Sequence, residues 1–435
     1  MTAASVVLAD ANSFFASCER VFHPDLQGKP IVVLSNNDGC VVARSAEAKR
    51  LGVPMGAPWF KIKEKARRLG VVARSSNYEL YASLSTRMMS IMTDFLPGQE
   101  VYSIDESFLT SPYDDATTRE VCLAMKEAIF KGIGVPVSIG IAPTKTLAKV
   151  VNHWSKDHPD TQGVLSWSQV DPSILEQVPV TALWGVGRRL GPQLISQGIL
   201  TAADLARADT VAMRRRFSLP LERTILELRG TPCIVEDDEG DANHGIRREQ
   251  ILCSRMFSHP IQGYETLCQA VSVYAQKATR RLKRQGSLCC LVSVFCSTSR
   301  FREQERSRVW STQTLDSPSD SPLVISKAAC QAIHGRINPH APYNRAGVVL
   351  QGLTDADSFI TLDGLEAHRD DQGLGEILES AITRFGPMTV GIGYGGICGK
   401  GLKSNDTGAD WSMKRQMLSE RSTTRWKEMP VVKAK

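Results

Sequence analysis

The stretch Val101-Tyr-Ser-Ile-Asp-Glu-Ser-Phe-Leu109 sets two short strand-like runs, Val101–Ile104 and Ser107–Leu109, on either side of the acidic pair Asp105-Glu106. Two β-prone runs parted by a two-residue polar break read as a hairpin. Working outward, Thr117–Lys131 has helical periodicity, Val135–Ile141 reads as a strand and Thr144–Trp154 as a second helix. Upstream, Leu80–Leu96 is helical and stops at Pro97-Gly98, and Ser5–Ala9 is a β-branched strand. Strand, helix, hairpin, helix, strand fits a β-α-β-β-α-β split-βαβ domain. Between its first strand and its hairpin lies an insertion, with a strand at Pro30–Leu34, a turn at Ser35–Gly39 and a helix predicted over Ala43–Leu51, ended by Gly52.

Farther on the pattern changes. Pro172–Gly230 gives short helices with glycine punctuation, including Leu183-Trp-Gly-Val-Gly-Arg-Arg-Leu190. Arg248–Leu353 predicts strands at Leu288–Phe295 and Ala346–Leu350 and helices at Tyr264–Arg284 and Ser326–Gly335, a second small α/β unit. From about Thr354 the chain is polar and acidic, then Gly-rich over Gly391–Gly401, then basic. The whole is an α+β multidomain chain, as 435 residues at about 150 per domain imply.

Charge is unevenly placed. Residues 236–245 carry five acids and no Lys or Arg, whereas residues 246–351 carry 15 Lys and Arg against 6 Asp and Glu. A basic block bordered by an acidic segment reads either as a module that meets a polyanion or as a solvated charged face. No uncharged apolar run approaches the roughly 18 residues of a membrane span, and Met1–Asp10 has no leader pattern. Eleven cysteines, two of them adjacent at Cys289-Cys290 and none in C-x-x-C, argue against a disulfide framework or a zinc ribbon and for a reducing cytosol.

Asp10 ends the first strand, and a split-βαβ sheet lays that strand beside the hairpin bearing Asp105 and Glu106. Taken singly, each acid is a strand-end or turn residue. Together, three carboxylates at one point repel unless cations sit among them, and hard oxygen ligands suit Mg²⁺. Two such ions would serve an in-line phosphoryl displacement.

Asp10-Ala-Asn-Ser-Phe-Phe-Ala-Ser-Cys-Glu19 and Tyr102-Ser-Ile-Asp-Glu-Ser-Phe108 resemble the two palm motifs of Y-family translesion DNA polymerases. Val33-Leu-Ser-Asn-Asn-Asp-Gly-Cys-Val-Val-Ala-Arg44, Ser76-Asn-Tyr-Glu-Leu-Tyr81, Ala142-Pro-Thr-Lys-Thr-Leu-Ala-Lys149, Trp184-Gly-Val-Gly-Arg-Arg189 and Met413-Lys-Arg-Gln-Met-Leu-Ser-Glu-Arg-Ser-Thr-Thr-Arg425 resemble its UmuC type. The resemblance covers residues 5–355 and returns over 410–425. It implies a right-hand polymerase: a ferredoxin-like palm (1–30 and 76–170), small fingers (31–75), a helical thumb with a helix-hairpin-helix (171–235), an acidic linker (236–247), an α/β little finger (248–353) and a C-terminal interaction tail (354–435).

Carried over position by position, the resemblance makes Asp10, Asp105 and Glu106 catalytic and, with the main-chain carbonyl of Ala11, ligands of two Mg²⁺ ions. Phe15 takes the steric-gate position beneath the sugar, where close relatives often have tyrosine. Arg44, Lys49 and Lys156 surround the incoming triphosphate; Val42 and Ala43 roof the templating pair. Phe14 stands beside the gate as a nucleotide contact or as core. Tyr78 and Tyr81 either touch the triphosphate or fill the palm–finger boundary. Gly185 and Gly187, with Arg188 and Arg189, would meet DNA phosphates, glycine letting backbone N–H groups approach closely. The basic block would track DNA through Arg300, Arg302, Arg306 and Arg308, alternate residues on one strand face, and through Arg280, Arg281, Lys283 and Arg284 at a helix end. The implied partners are primer-template DNA with dNTPs, a UmuD-type accessory dimer, a RecA filament and the sliding clamp. Gln351–Glu366 contains Ser358-Phe-Ile-Thr-Leu362 but no recognisable clamp pentapeptide. The expected function is error-prone translesion synthesis in an SOS-type damage response. A nucleotidyl cyclase would share the palm but has no use for the thumb hairpin or the basic block; a catalytically inactive DNA-binding scaffold would not need three mutually repelling acids.

Overall fold

The computed structural model describes residues 5–234, 248–299, 301, 306–357, 373–385, 390–392 and 414–431. It divides into two compact units, one of residues 1–238 with 416–435, the other of residues 239–415.

The first unit opens with β1 (Ser5–Ala11) and α1 (Phe14–Val21). The inserted segment follows: β2 (Ile31–Leu34), β3 (Val41–Arg44), α2 (Ala46–Arg50), α3 (Trp59–Arg68) and β4 (Val72–Ser75). These strands form their own sheet in the order β3-β2-β4. The predicted helix over Ala43–Leu51 is corrected here. Ala43 and Arg44 belong to a strand, and the helix begins only after Ser45, whose hydroxyl accepts from the Ala48 N–H at 3.3 Å.

Then come α4 (Tyr78–Thr93), β5 (Glu100–Val101), β6 (Glu106–Ser111), α5 (Asp115–Ile133), β7 (Val137–Ala142), α6 (Lys145–Asp157) and β8 (Val164–Ser166). The sheet order is β5-β6-β1-β7-β8, with β1 antiparallel to both β6 and β7. The hairpin over 101–109 is present, but Glu106 is already the first residue of β6 rather than part of the turn. Helices α4 and α5 cover one sheet face through a core containing Val7, Met88, Met125 and Ile139. The other face packs Leu8, Phe108 and Leu147 against five short helices: α7 (Ile174–Gln177), α8 (Leu190–Ile195), α9 (Ala202–Arg207), α10 (Thr210–Arg216) and α11 (Leu219–Leu228). Being covered twice, β7 is buried at all six positions. At Gly140 a Cβ would stand 2.7 Å from the Asn152 nitrogen and closer still to the Ala148 carbonyl, so α6 lies backbone-to-backbone on the sheet. Its N-terminus is pinned by buried Glu227, which accepts from the Thr146 N–H at 2.9 Å.

The second unit is β9 (Ile251–Ile261), α12 (Tyr264–Arg284), β10 (Ser287–Thr298), β11 (Arg308–Ser319), α13 (Pro322–Ile333), β12 (Tyr343–Asp355) and α14 (Leu374–Phe385). Its antiparallel sheet, β11-β10-β12-β9, has α12 and α13 on one face around Val271, Tyr274, Val294 and Ile325. Along β9 and β11 buried and exposed residues intermix, the signature of a sheet with one wet face. The cysteines include one bonded pair, which the sequence reading does not anticipate. Cys268 and Cys330 are bonded, with Cα atoms 5.3 Å apart, because α12 and α13 pack side by side. Among the described residues no helix is long and apolar enough to cross a membrane.

Candidate active site

Asp10 and Glu106 are direct cross-strand partners on β1 and β6, so their carboxylates leave the same sheet face at one end. Burial is the main cause that pushes the Asp10 carboxyl up to about 6; Lys156 opposes it and neighbouring Glu106 adds to it. Asp105 is also close: the Ala11 N–H donates to its main-chain carbonyl at 2.9 Å. Its carboxylate, however, accepts from the Ser103 hydroxyl at 2.6 Å. Asp10 and Glu106 are therefore cross-strand partners, and Asp105 sits in the turn one residue before β6, bonded to β1 through its main-chain carbonyl. Among the described residues no three His, Cys, Asp or Glu side chains form a metal cage. A pair of hard carboxylates fits Mg²⁺ nonetheless, since that ion commonly takes one or two carboxylates and completes its shell with water and substrate phosphates.

Cations face these acids. Lys156 reaches Asp10 at 2.6 Å, and Lys149 reaches both Glu106 oxygens at 2.9 and 3.0 Å. Both lysines stand on α6, seven residues or two turns apart, hence on one face. Lys49 loses basicity chiefly through burial and then through repulsion by Arg44 and Lys156, while Asp10 pulls the other way. Lys49 thus lies within electrostatic reach of Arg44, Lys156 and Asp10. Arg44 donates to the Val53 carbonyl at 2.6 Å, which leaves its buried Nε without a partner. A 280 Å³ pocket lined by Asp10, Glu106, Lys149, Asn152, Lys156 and Trp184, among others, opens over the acids.

The aromatic residues divide. Phe14 is 3% exposed and belongs to the core, so its placement at the nucleotide is corrected. Phe15 is half-buried and stacks on Tyr81 at 4.5 Å with 17° between planes, while Tyr78 meets it edge-on at 6.0 Å. Tyr81 is fully buried and fills the boundary rather than touching a triphosphate. Val42 and Ala43 pack half-buried against the same core. Gly185 (φ +85°) and Gly187 flank buried Val186, with Arg188 and Arg189 exposed just before α8. Arg306 and Arg308 are exposed; Arg300 and Arg302 lie outside the described residues, as do the acidic linker and most of Gln351–Glu366. Arg280, Lys283 and Arg284 face α14 across a 460 Å³ cleft instead of lying on the open sheet face.

Two functional residues escaped the sequence reading. Ser103 ties the turn together, accepting from the Glu106 N–H at 3.1 Å. Lys149 sits in a box of Tyr102 (4.5 Å), Trp184 (5.1 Å) and Phe108 (5.6 Å) while holding Glu106, and Trp184 donates to the Tyr102 hydroxyl at 2.9 Å. The seven-residue interval between Lys149 and Lys156 was the available signal.

Known proteins resemble this chain in family and in fold. Residues 9–153 match the model of the impB/mucB/samB family, residues 248–363 its C-terminal domain, and residues 372–432 a domain of unknown function, DUF4113. The chain is 39% identical to Protein UmuC of Salmonella typhimurium over 98% of this chain and 99% of that one. It is 30% identical to DNA polymerase IV of Pelotomaculum thermopropionicum, over 80% and 85% of the two chains. The fold matches a Y-family DNA polymerase chimera, Dbh-Dpo4(243-245)-Dbh, with a TM-score of 0.62 at 20% identity over 81% of this chain and 99% of that one. The chain belongs to the impB/mucB/samB family of Y-family DNA polymerases, on the UmuC side of that family.

Proposed function

We propose that this chain is an error-prone, template-directed DNA polymerase that extends primers past damaged bases in an SOS-type response. The observation that carries the reading is the cross-strand pair Asp10 and Glu106 faced by Lys156 and Lys149, with Lys49 within electrostatic reach of Asp10. Asp10, Asp105, Glu106 and the Ala11 carbonyl would hold two Mg²⁺ ions. When bound there, the ions would activate the primer hydroxyl and neutralise charge on the leaving pyrophosphate.

The chain's own residues do the rest. Arg44, Lys49 and Lys156 bind and orient the triphosphate, so charge building on the leaving group meets fixed cations. Phe15 lies beneath the sugar and excludes a ribose 2′-hydroxyl by bulk. Val42 and Ala43, small and half-buried, leave room above the templating base. We assign residues 1–30 and 76–170 as palm, 31–75 as fingers, 171–235 as thumb and 248–353 as little finger. Gly185 to Arg189 grip phosphates, with exposed Arg306 and Arg308 and, by position, Arg300 and Arg302. Primer-template DNA and dNTPs are the substrates; a UmuD-type dimer and a RecA filament are the proposed partners.

The test is primer extension across an abasic site with Mg²⁺ and dNTPs, by the chain alone and with an activated RecA filament and the accessory dimer. Extension that falls at least ~10³-fold in Asp10→Asn and Asp105→Asn, with primer-template affinity nearly unchanged, is expected for lost transition-state stabilisation. DNA binding without extension under every condition would replace the enzyme with a scaffold.

A further inference from the structure

The last described segment returns to the first unit and is bonded into it. The Gln416 N–H donates to Asp38 at 3.1 Å; the Met417 N–H donates to the Ser75 hydroxyl at 3.0 Å, and the Ser75 N–H to the Met417 carbonyl at 2.9 Å. Asn77, the N-cap of α4, uses its oxygen for the Leu80 N–H. Its amide nitrogen donates to the Ser419 carbonyl and hydroxyl and to the Glu420 carbonyl, at 2.9 to 3.2 Å. Ser419, Arg421 and Ser422 are buried, and Arg421 folds the segment on itself by donating to Glu428 from its backbone, Nε and Nη2.

The hub of this contact is Glu19, which is fully buried. One of its oxygens accepts from the Tyr81 hydroxyl at 2.6 Å and from the Ser419 hydroxyl at 3.0 Å; Arg74 stands 3.7 Å from the other. Tyr81 in turn is the ring on which Phe15 stacks. Three links therefore join residue 419 to the sugar-facing ring.

We propose that residues 416–428 form a strap that positions Phe15, with Ser419 and Glu19 as positioning residues acting through Tyr81, so that discrimination between deoxyribose and ribose depends on the seated strap. This rests on the reading of Phe15 as the sugar gate. The physical reason is that a buried carboxylate must keep its donors. Without the Ser419 hydroxyl, Glu19 keeps the Tyr81 hydroxyl as its remaining hydrogen-bond donor, with Arg74 at 3.7 Å from its other oxygen, and the ring bonded to it shifts. A gate that rejects a single oxygen atom is sensitive to displacements well below the size of that atom.

The experiment measures single-nucleotide insertion by the full chain with dNTP and with the matching rNTP. Ser419→Ala is expected to raise the relative efficiency with rNTP about ten-fold, the scale of one hydrogen bond to a charged group, while dNTP insertion stays within about two-fold. Ser419→Thr, which keeps the hydroxyl, restores the ratio. Tyr81→Phe breaks the same chain from its other side and moves the ratio in the same direction, so the test survives poor folding of one variant. Phe15→Ala raises the ratio further, and adding Ser419→Ala to it changes nothing more. A ratio unmoved in Ser419→Ala and Tyr81→Phe, while Phe15→Ala raises it, overturns the strap and leaves the gate standing. A ratio unmoved in Phe15→Ala overturns the gate itself.

Discussion

The two sheets of this molecule start from similar material and are finished differently. Each is a small set of four or five strands with helices supplying a core, yet the β1 sheet is covered on both faces, whereas in the β9–β12 sheet α12 and α13 cover one face and the other bears exposed Leu252, Met256 and Trp310. The buried polar groups follow the difference. Among the described residues, the first unit buries Glu19, Asn77, Lys145, Asn152 and Glu227, while the buried polar residues of the second are serines and threonines. A doubly covered sheet has no free face on which to put chemistry. Its acids emerge at a strand end, where Lys149 and Lys156 of α6 meet them and buried Glu227 of α11 pins the start of that helix. A sheet with a free face can offer breadth instead, and needs little ionic chemistry inside.

The comparison is broken most severely at Gly140. Gly140→Ala pushes a methyl group into the α6 backbone, and a cost of about 3 kcal/mol or more is expected because neither backbone can yield. Denaturant unfolding would show it as a lowered midpoint; a midpoint near wild type would mean the two layers are not locked together. On the open face, Phe295 and Trp310 stack at 5.6 Å with 5° between planes, and Arg345 lies 5.2 Å from the Phe295 ring. Trp310→Ala removes an exposed ring and should cost only about 1 kcal/mol, by the same measurement. A loss as large as that at Gly140 would show that the open face is also a core.

The smallest effect concerns pH. Burial raises the Glu19 pKa above its ordinary value of 4.5, against the donors Tyr81 and Ser419. Its folded-state proton is held more tightly than its unfolded one, so its favourable contribution is full below about pH 4.5 and is lost as pH rises through the raised value. Glu19→Gln should therefore gain melting temperature relative to wild type as pH climbs from 4 to 7. A difference that stays flat over that range would remove the ionised carboxylate from the interior of the first unit.

Much of this was legible in the chain because the signals are local. The hairpin, the strand carrying Asp10 and the helix carrying Lys149 follow from periodicity and turn residues, although that helix runs past its expected end at Trp154 to take in Lys156. What failed was either finer than periodicity or farther than it reaches. Ala43 and Arg44 were drawn into a helix because a short apolar run does not distinguish strand from helix. Phe14 and Phe15 differ by one residue, yet the first is buried in the core and the second is half-buried, stacked on Tyr81. The contacts of Ser75, Asn77 and Glu19 with residues 417–420 span more than 340 positions and leave no local trace.

That last separation has a consequence for how the molecule is made. Glu19 emerges from the ribosome 400 residues ahead of Ser419, an interval of roughly 20–80 s at ordinary rates of synthesis. Throughout that time the nascent first unit lacks one of the donors its interior carboxylate requires. Its folding therefore ends with its most distant segment, and a message cut short anywhere before codon 416 yields a chain whose β3-β2-β4 sheet and α4 never receive their closing bonds.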